Sequence, residues 1–262
     1  MNRSTENLAL RILSLLTISI LSHSQPFPQA HAHNDYAHNH PLFDALHNGF
    51  LSVEADVFLI NGKLLVSHTY PIFKTKTLEE LYLIPLDSIL RTNGGRIYPG
   101  YDGPFYLMID IKSEGASIYP VLKRALLRYP TLFNKSASHQ PVVIFLSGNR
   151  PIEMVVHDPA AVVSLDGRPR DLGKSYSAVV MPVISDNYNK WSDWNGEGLP
   201  SPTDLQKIEA LAKRVHAEGK KLRLWAIPDN PVAWKALLEA GVDFINSDHL
   251  SELHSFLKTY KK

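Results

Sequence analysis

The stretch SVEADVFLINGKLLVSHTY, residues 52–70, decides the fold and locates its chemistry. Glu54 and Asp56 lie two positions apart in a run typical of a strand, so both carboxylates point to the same side. Like charges this close repel, and a hard divalent cation with oxygen ligands relieves the repulsion. An Asn-Gly turn at 61–62 then returns the chain and brings His68 near the same place. The stretch predicts a metal site beside an imidazole, with an ordinary solvated strand edge as the alternative.

Outward from this stretch, apolar strands alternate with amphipathic helices. Further predicted strands are GPFYLMIDIKSEG (103–115), PVVIFLSGN (141–149), SAVVMPVIS (177–185), KLRLWAI (221–227) and VDFINSD (242–248). The segment AAVVSLDGRPRDL (160–172) is predicted as a strand that runs into a loop with Asp166, Arg168 and Arg170. Continuous apolar strands separated by helices indicate a parallel sheet covered on its outer face. The pattern predicts an α/β protein, a single (β/α)8 TIM barrel over residues 25–262, whose polar strand ends would carry the chemistry.

The other candidate site residues follow predicted strands. His33 ends the first strand, and we predict that the neighbouring His38, His40 and His47 are loop or helix-surface residues. In FYLMIDIK, Asp110 and Lys112 point to the same side, and a buried acid there needs a partner or a metal. A simple salt bridge between the two is the alternative.

Arginine and tryptophan side chains in the loops beyond these strands have two interpretations each. Arg150, Arg168 and Arg170 suit phosphate oxygens, but arginines in loops are usually solvated. Trp191 and Trp194 would form a lid or a stacking platform, unless they serve ordinary loop packing.

The N-terminus and the composition narrow the protein class. Residues 1–24 carry Arg3 and Arg11 before an apolar run that ends in small residues, which predicts a secretory signal peptide cleaved near Ser24. A retained anchor is the alternative, and with cleavage the protein would be secreted or periplasmic. The chain has 0 cysteines, which excludes disulfides and thiolate metal sites. Its formal net charge of +1 and the lack of a basic block argue against nucleic-acid binding.

Five landmarks occur in order along the chain: AHNDY (32–36), EADV (54–57), VSHTY (66–70), IDIK (109–112) and the segment from 222 to 248 that contains LRLWAIPDNP and ends in INSD. In this order they resemble the superfamily of phosphatidylinositol-specific phospholipase C and glycerophosphodiester phosphodiesterases. The chain departs from the glycerophosphodiesterase branch, because Leu42 and Phe43 follow Pro41 where that branch has Pro-Glu-Asn. His33, Asn34 and Asp35 also replace its His-Arg-Gly. The set of three acids is more similar to the phospholipase C and sphingomyelinase D-like branches.

The resemblance implies a role for each matching residue. His33 and His68 would be the general acid and base, and one Ca²⁺ or Mg²⁺ would be held by Asn34, Glu54, Asp56 and Asp110. Lys112 would contact the phosphate and Trp225 would wall the pocket, and we add Asp166 and Arg168 as substrate-binding candidates.

The predicted function is a metal-dependent hydrolase of a small-molecule or phospholipid phosphodiester, with possible peripheral membrane contact. Two other classes compete with it. His31 and His33 form the His-x-His pair of zinc amidohydrolases, although the later strands supply no further histidine ligand. A barrel that binds a phosphorylated ligand without turnover is the second alternative.

Overall fold

The computed structural model describes residues 25–73, 75–133 and 140–260. Within them the strands are β1 (Phe27–Ala32), β2 (Phe50–Ile60), β3 (Lys63–Val66), β4 (Phe105–Ile111), β5 (Val142–Gly148), β6 (Ser164–Gly167), β7 (Val183–Asn187), β8 (Lys221–Trp225) and β9 (Phe244–Ser247). Every strand except β3 is parallel to its neighbours, in the order β1-β9-β8-β7-β6-β5-β4-β2, and β1 also pairs with β2. This ring confirms the predicted (β/α)8 barrel.

The helices cover the outside of the ring. They are α1 (Phe43–His47), α2 (Ile84–Thr92, preceded by the π-helical turn Glu79–Leu83), α3 (Gly115–Leu126), α4 (Ile152–Val156), α5 (Pro202–Ala217), α6 (Pro231–Glu239) and α7 (Leu250–Thr259). A large apolar core lies between strands and helices, whereas Met108, Phe145, Val183 and Phe244 form a small cluster inside the barrel. The buried outer faces of the strands thus leave the inner face free for polar side chains.

The β2–β3 hairpin explains how His68 reaches the site. Asn61 and Gly62 both have positive φ, at 49° and 74°, which suits the tight turn of a two-residue hairpin. β3 therefore runs antiparallel along β2, and the backbone N–H of Ser67 donates to the carbonyl of Asp56 at 3.0 Å. The predicted hairpin is confirmed, and it places residue 68 beside Asp56.

The strand predicted over 177–185 is wrong in its first half. Val180 and Met181 donate their backbone N–H groups to the carbonyl of Ser177, which forms a turn, and Val179 is 79% exposed. The strand β7 begins only at Val183, directly after a proline that has no N–H to donate. It also extends through residues 186 and 187, which the sequence pattern assigns to the following loop.

The predicted signal peptide, residues 1–24, lies outside the described residues and stays a prediction. Among the residues that the structure describes, no helix has the length and apolar character needed to cross a membrane.

Candidate active site

Three carboxylates meet on the inner face of β2 and β4. Asp56 pairs in register with Asp110, and Glu54 lies two residues earlier on the same face. One ligand oxygen from each of the three lies within 4.8 Å of the others. Gly148 leaves room for the third member, because a Cβ there would lie 2.0 Å from Asp110 Oδ1. The structure thus brings the three predicted acids together.

The polar contacts leave two of these carboxylate oxygens without a partner. Lys112 Nζ lies 3.1 Å from Asp56 Oδ2 and 2.8 Å from Asp110 Oδ2, while both Oδ1 atoms are buried and accept no hydrogen bond. Burial, and then the charge of Glu54, raises the pKa of Asp56, and burial raises the pKa of Asp110. Hard anionic oxygens that are buried and lack donors fit a divalent cation such as Mg²⁺ or Ca²⁺.

His33 and His68 lie at different carboxylates of this group. His33 Nε2 is 3.9 Å from Glu54 Oε2, and its Nδ1 is 3.0 Å from Asp248 Oδ1. Burial alone would lower the pKa of His33, but the hydrogen bond to Asp248 and the charge of Glu54 raise it. His68 Nδ1 lies 3.1 Å from Asp56 Oδ2, and its side chain is largely exposed. Two imidazoles thus reach the acids from two chain segments.

Tyr36 joins the two halves of the site and was missed at the sequence level. Its hydroxyl oxygen lies 2.6 Å from Asn34 Oδ1, 2.8 Å from Asp56 Oδ2 and 3.2 Å from His68 Nδ1. Burial, and then the charge of Asp56, raises the pKa of the Tyr36 phenol, so it stays a donor. Asn34 adopts a left-handed conformation (φ 46°), and its amide nitrogen lies 3.1 Å from His33 Nδ1. The signal was present, since Tyr36 lies two residues beyond Asn34 in AHNDY.

Arg223 and Asp248 were also missed. The Arg223 guanidinium is buried inside the barrel, where Nε donates to Asn246 Oδ1 at 3.0 Å and an NH2 group to Glu54 Oε2 at 3.3 Å. The alternation in KLRLW puts Arg223 on the inner face, and Asp248 directly follows β9. Both positions can be recognised in the sequence. Their partners, Glu54 on β2 and His33 after β1, lie far away along the chain, so the contacts cannot.

His31 lies on the inner face of β1, deeper than His33. It is fully buried, its Nδ1 is 2.7 Å from Ser52 Oγ, and its Nε2 is 3.7 Å from Glu54 Oε2. Burial, then the charge of Arg223, lowers the pKa of His31, so the ring is neutral. Within the part of the chain that the structure describes, the group of converging metal-ligating side chains contains no histidine. The arrangement therefore favours an oxygen-ligated cation over the zinc alternative.

Asp166 and Arg168, predicted to bind substrate, form a separate buried group. Asp166 Oδ1 accepts from Ser185 Oγ at 2.6 Å, and its Oδ2 accepts from Ser147 Oγ at 2.8 Å and from Arg168 NH1 at 2.7 Å. Both oxygens of Asp166 are thus occupied by protein donors. Trp225, the predicted pocket wall, ends β8 with 38% of its surface exposed.

The two tryptophans of the long loop hydrogen-bond within their own segment. Trp191 Nε1 donates to Asp186 Oδ2 at 3.2 Å, and Trp194 Nε1 donates to the carbonyl of Glu197 at 2.6 Å. Both contacts favour the loop-packing alternative.

Comparisons with known proteins agree with this fold. A glycerophosphodiester phosphodiesterase from Parabacteroides distasonis has a similar fold, with a TM-score of 0.53 and 15% identity, over 90% of this chain and 99% of that one. Altered inheritance of mitochondria protein 6 homolog from Arthroderma benhamiae is 28% identical over 86% of this chain and 82% of its own length. Altered inheritance of mitochondria protein 6 from Saccharomyces cerevisiae is 24% identical over 86% of this chain and 69% of its own length.

The family match covers more than half of the chain. The profile of the AIM6-like phosphodiesterase domain matches residues 19–162, a range that includes four of the five landmarks and all three acids. It confirms the resemblance to the phospholipase C and glycerophosphodiester phosphodiesterase superfamily. The chain belongs to the AIM6-like phosphodiesterase domain family.

Proposed function

We propose that this protein is a metal-dependent phosphoric diester hydrolase, with Glu54, Asp56 and Asp110 as the ligands of one divalent cation. The observation that carries the proposal is the pair of buried Oδ1 atoms on Asp56 and Asp110, which no protein donor satisfies. Burying a charged oxygen without a partner costs several kcal/mol, on the order of the penalty for an unpaired buried charge. A bound cation would remove that cost and would stabilise the charge that grows on a nonbridging phosphate oxygen.

The side chains around the acids have the chemistry that diester cleavage needs. One imidazole, His33 or His68, accepts a proton from the attacking hydroxyl, and the other donates a proton to the leaving oxygen. Asp248 orients His33 through Nδ1, which leaves Nε2 for the substrate. Lys112, held between two carboxylates, offers a positive charge to the phosphate.

The substrate that we propose is a small-molecule diester of the glycerophosphodiester or phospholipid type. The resemblance supports it, as does the solved neighbour described as a glycerophosphodiester phosphodiesterase. A barrel that binds such a diester without cleaving it is the second candidate, and the same experiment separates the two.

The loop after His68 supports contact with a lipid surface. Tyr70, Ile72 and Phe73 are 64%, 84% and 84% exposed, and Lys76 beside them is also exposed. Exposed apolar side chains next to a lysine suit an anionic membrane interface. Ile72→Ser with Phe73→Ser should weaken sedimentation with phosphatidylglycerol vesicles and leave hydrolysis of a soluble diester unchanged. Equal sedimentation of variant and wild type would remove this loop from the proposal.

We also propose that the protein is exported through its N-terminal segment. This proposal rests on residues 1–24 alone.

The test is hydrolysis of bis(p-nitrophenyl) phosphate and of glycerophosphodiesters in Mg²⁺, in Ca²⁺ and in chelator. Metal-dependent turnover should fall about 10²–10⁴-fold in His33→Ala and in His68→Ala, the range for lost acid–base catalysis. His40→Ala is the matched control, because His40 is an exposed histidine that pairs with Asp44. Diester binding without turnover in any metal would support the binding barrel instead.

A further inference from the structure

A cavity lined in part by basic side chains opens beside the candidate active site. Its volume is about 900 Å³, and Lys112, Gly148, Arg150 and Arg170 are among the residues that line it. Lys112 also contacts Asp56 and Asp110, so this lysine borders both the cavity and the three acids. One arm of a diester bound at the acids could extend past Lys112 into the cavity.

The cavity holds two guanidinium groups that lack a carboxylate partner. Arg150 donates through NH1 to the backbone carbonyl of Asp166, and its Nε is buried without any acceptor. Arg170 is exposed, and within the described residues no carboxylate pairs with either arginine. Burial, and then the charge of Arg168, lowers the pKa of Arg150, and the charges of Asp166 and Asp171 partly offset this effect. The neighbouring guanidinium groups are thus held together at some electrostatic cost.

The acids near these arginines are engaged elsewhere. Glu114 accepts the backbone N–H groups of residues 116 and 117 at the start of α3. Asp171 accepts from Lys174 Nζ and from the backbone N–H of Arg168, each at 3.0 Å. Asp166 is saturated by two serines and Arg168. Glu153 is 80% exposed and lies 3.5 Å from His157. The guanidinium groups of Arg150 and Arg170 therefore keep N–H donors for a ligand.

We infer that the cavity lined by Lys112, Arg150 and Arg170 binds a second anionic group, carried on one arm of the diester substrate. A phosphate monoester or a carboxylate fits, because a guanidinium presents a fork of N–H donors to paired oxygens. This inference rests on the proposed function and narrows it to diesters with a charged arm. It assigns a binding role to Arg150 and Arg170 and none in proton transfer.

Two matched substrate pairs test the inference and separate the two anions. Glycerophosphoinositol 4-phosphate differs from glycerophosphoinositol by one phosphate, and glycerophosphoserine differs from glycerophosphoethanolamine by one carboxylate. The wild type should prefer the member with the additional anion, in at least one pair, by about 10-fold in kcat/KM, the size of one charge-assisted hydrogen bond. Arg170→Gln and Arg150→Gln should each remove most of that preference while leaving kcat/KM for the member without the additional anion within about 2-fold.

The control is Arg124→Gln, which changes an exposed arginine on α3 that lines a different cavity. Arg170→Gln alone carries the test if Arg150→Gln fails to fold, since Arg150 also supports the end of β6 through Asp166. No preference in either pair, or a preference that both variants retain, would overturn the inference.

A binding measurement keeps this inference distinct from the proposed function. In chelator, inorganic phosphate titrated into the full chain should bind at millimolar concentration, and Arg170→Gln should weaken that binding about 5-fold or more. If no diester is cleaved in any metal, the proposed function fails and this titration decides the anion site by itself. Absence of phosphate binding by the wild type, or equal binding by wild type and Arg170→Gln, would overturn the site.

Discussion

Two groups of buried acids, on neighbouring parts of the same barrel, are treated in opposite ways. Around Asp166, two serines and an arginine occupy both carboxylate oxygens. Around Asp56 and Asp110, each carboxylate keeps one buried oxygen that accepts nothing. A saturated acid supports the fold, whereas an unsaturated one in a cluster of like charges keeps capacity for a ligand. The difference distinguishes the candidate metal-binding acids from Asp166 better than their strand positions do.

The largest effect on activity should come from substituting Asp56 or Asp110, here called the unsaturated group because each keeps a buried oxygen without a donor. Asp56→Asn removes a proposed metal ligand and should lower kcat/KM for bis(p-nitrophenyl) phosphate by about 10³-fold or more, since a metal contributes several kcal/mol of charge stabilisation. The free energy of unfolding in chelator should stay level or rise, because the repulsion from Glu54 that helps to raise the Asp56 pKa is relieved. Asp110→Asn should behave alike. Full activity in either variant would contradict the metal site, and urea titration in chelator measures the stability.

Substituting Asp166, whose two carboxylate oxygens both accept hydrogen bonds, should lower stability and leave activity intact. Asp166→Asn leaves Arg168 without its carboxylate and should lower the free energy of unfolding by about 3 kcal/mol, at the low end for a broken buried pair, since Arg168 is partly exposed. The folded fraction should keep metal-dependent turnover, because Asp166 contacts none of the three acids. A stable Asp166→Asn variant that has lost turnover would contradict this prediction. It would show that Asp166 binds substrate rather than supports the fold.

Asp35 is an intermediate case, because only one of its oxygens is satisfied. Its Oδ2 accepts from the backbone N–H of Leu42 at 2.6 Å and from Tyr82 at 2.9 Å, whereas Oδ1 is buried without a partner. Burial raises the pKa of Asp35 to about 7. A raised carboxyl pKa contributes stability that is full below about pH 4 and is lost as the pH rises through about 7.

The third prediction follows from that sign. Wild type should lose about 2 kcal/mol of stability relative to Asp35→Asn between pH 5 and pH 7, because the amide does not ionise. Urea titrations of both proteins at several pH values measure the difference. A difference that does not change with pH would show that Asp35 does not titrate in this range. The control is Asp102→Asn, which changes an exposed acid that pairs with Arg96.

The barrel was predictable because strand and helix periodicities are local. The error at residues 177–181 has a physical reason, since an apolar run such as AVVM does not reveal whether partner strands lie beside it. The three acids were predictable for the same local reason, as residues two apart share a face. The contacts of Arg223 with Glu54 and of Tyr36 with Asp56 were not predictable, because they depend on how closely the closed ring and the first loop approach β2. Sequence spacing alone does not determine those distances.

Tyr36 offers the smallest and sharpest test of the unsaturated group. Its hydroxyl has one proton, for which Asn34 Oδ1 and Asp56 Oδ2 compete, and His68 Nδ1 also lies within hydrogen-bond distance. Tyr36→Phe should lower kcat about 10-fold, the cost of one hydrogen bond to a charged group, with the free energy of unfolding nearly unchanged. Tyr260→Phe, which removes a hydroxyl from the ring stacked on Phe256, should leave kcat unchanged. If Tyr36→Phe instead destabilised the protein and kept its kcat, the hydroxyl would support the fold as the donors around Asp166 do. Asp56 would then belong with Asp166 among the acids that support the fold, and only Glu54 and Asp110 would remain as proposed metal ligands.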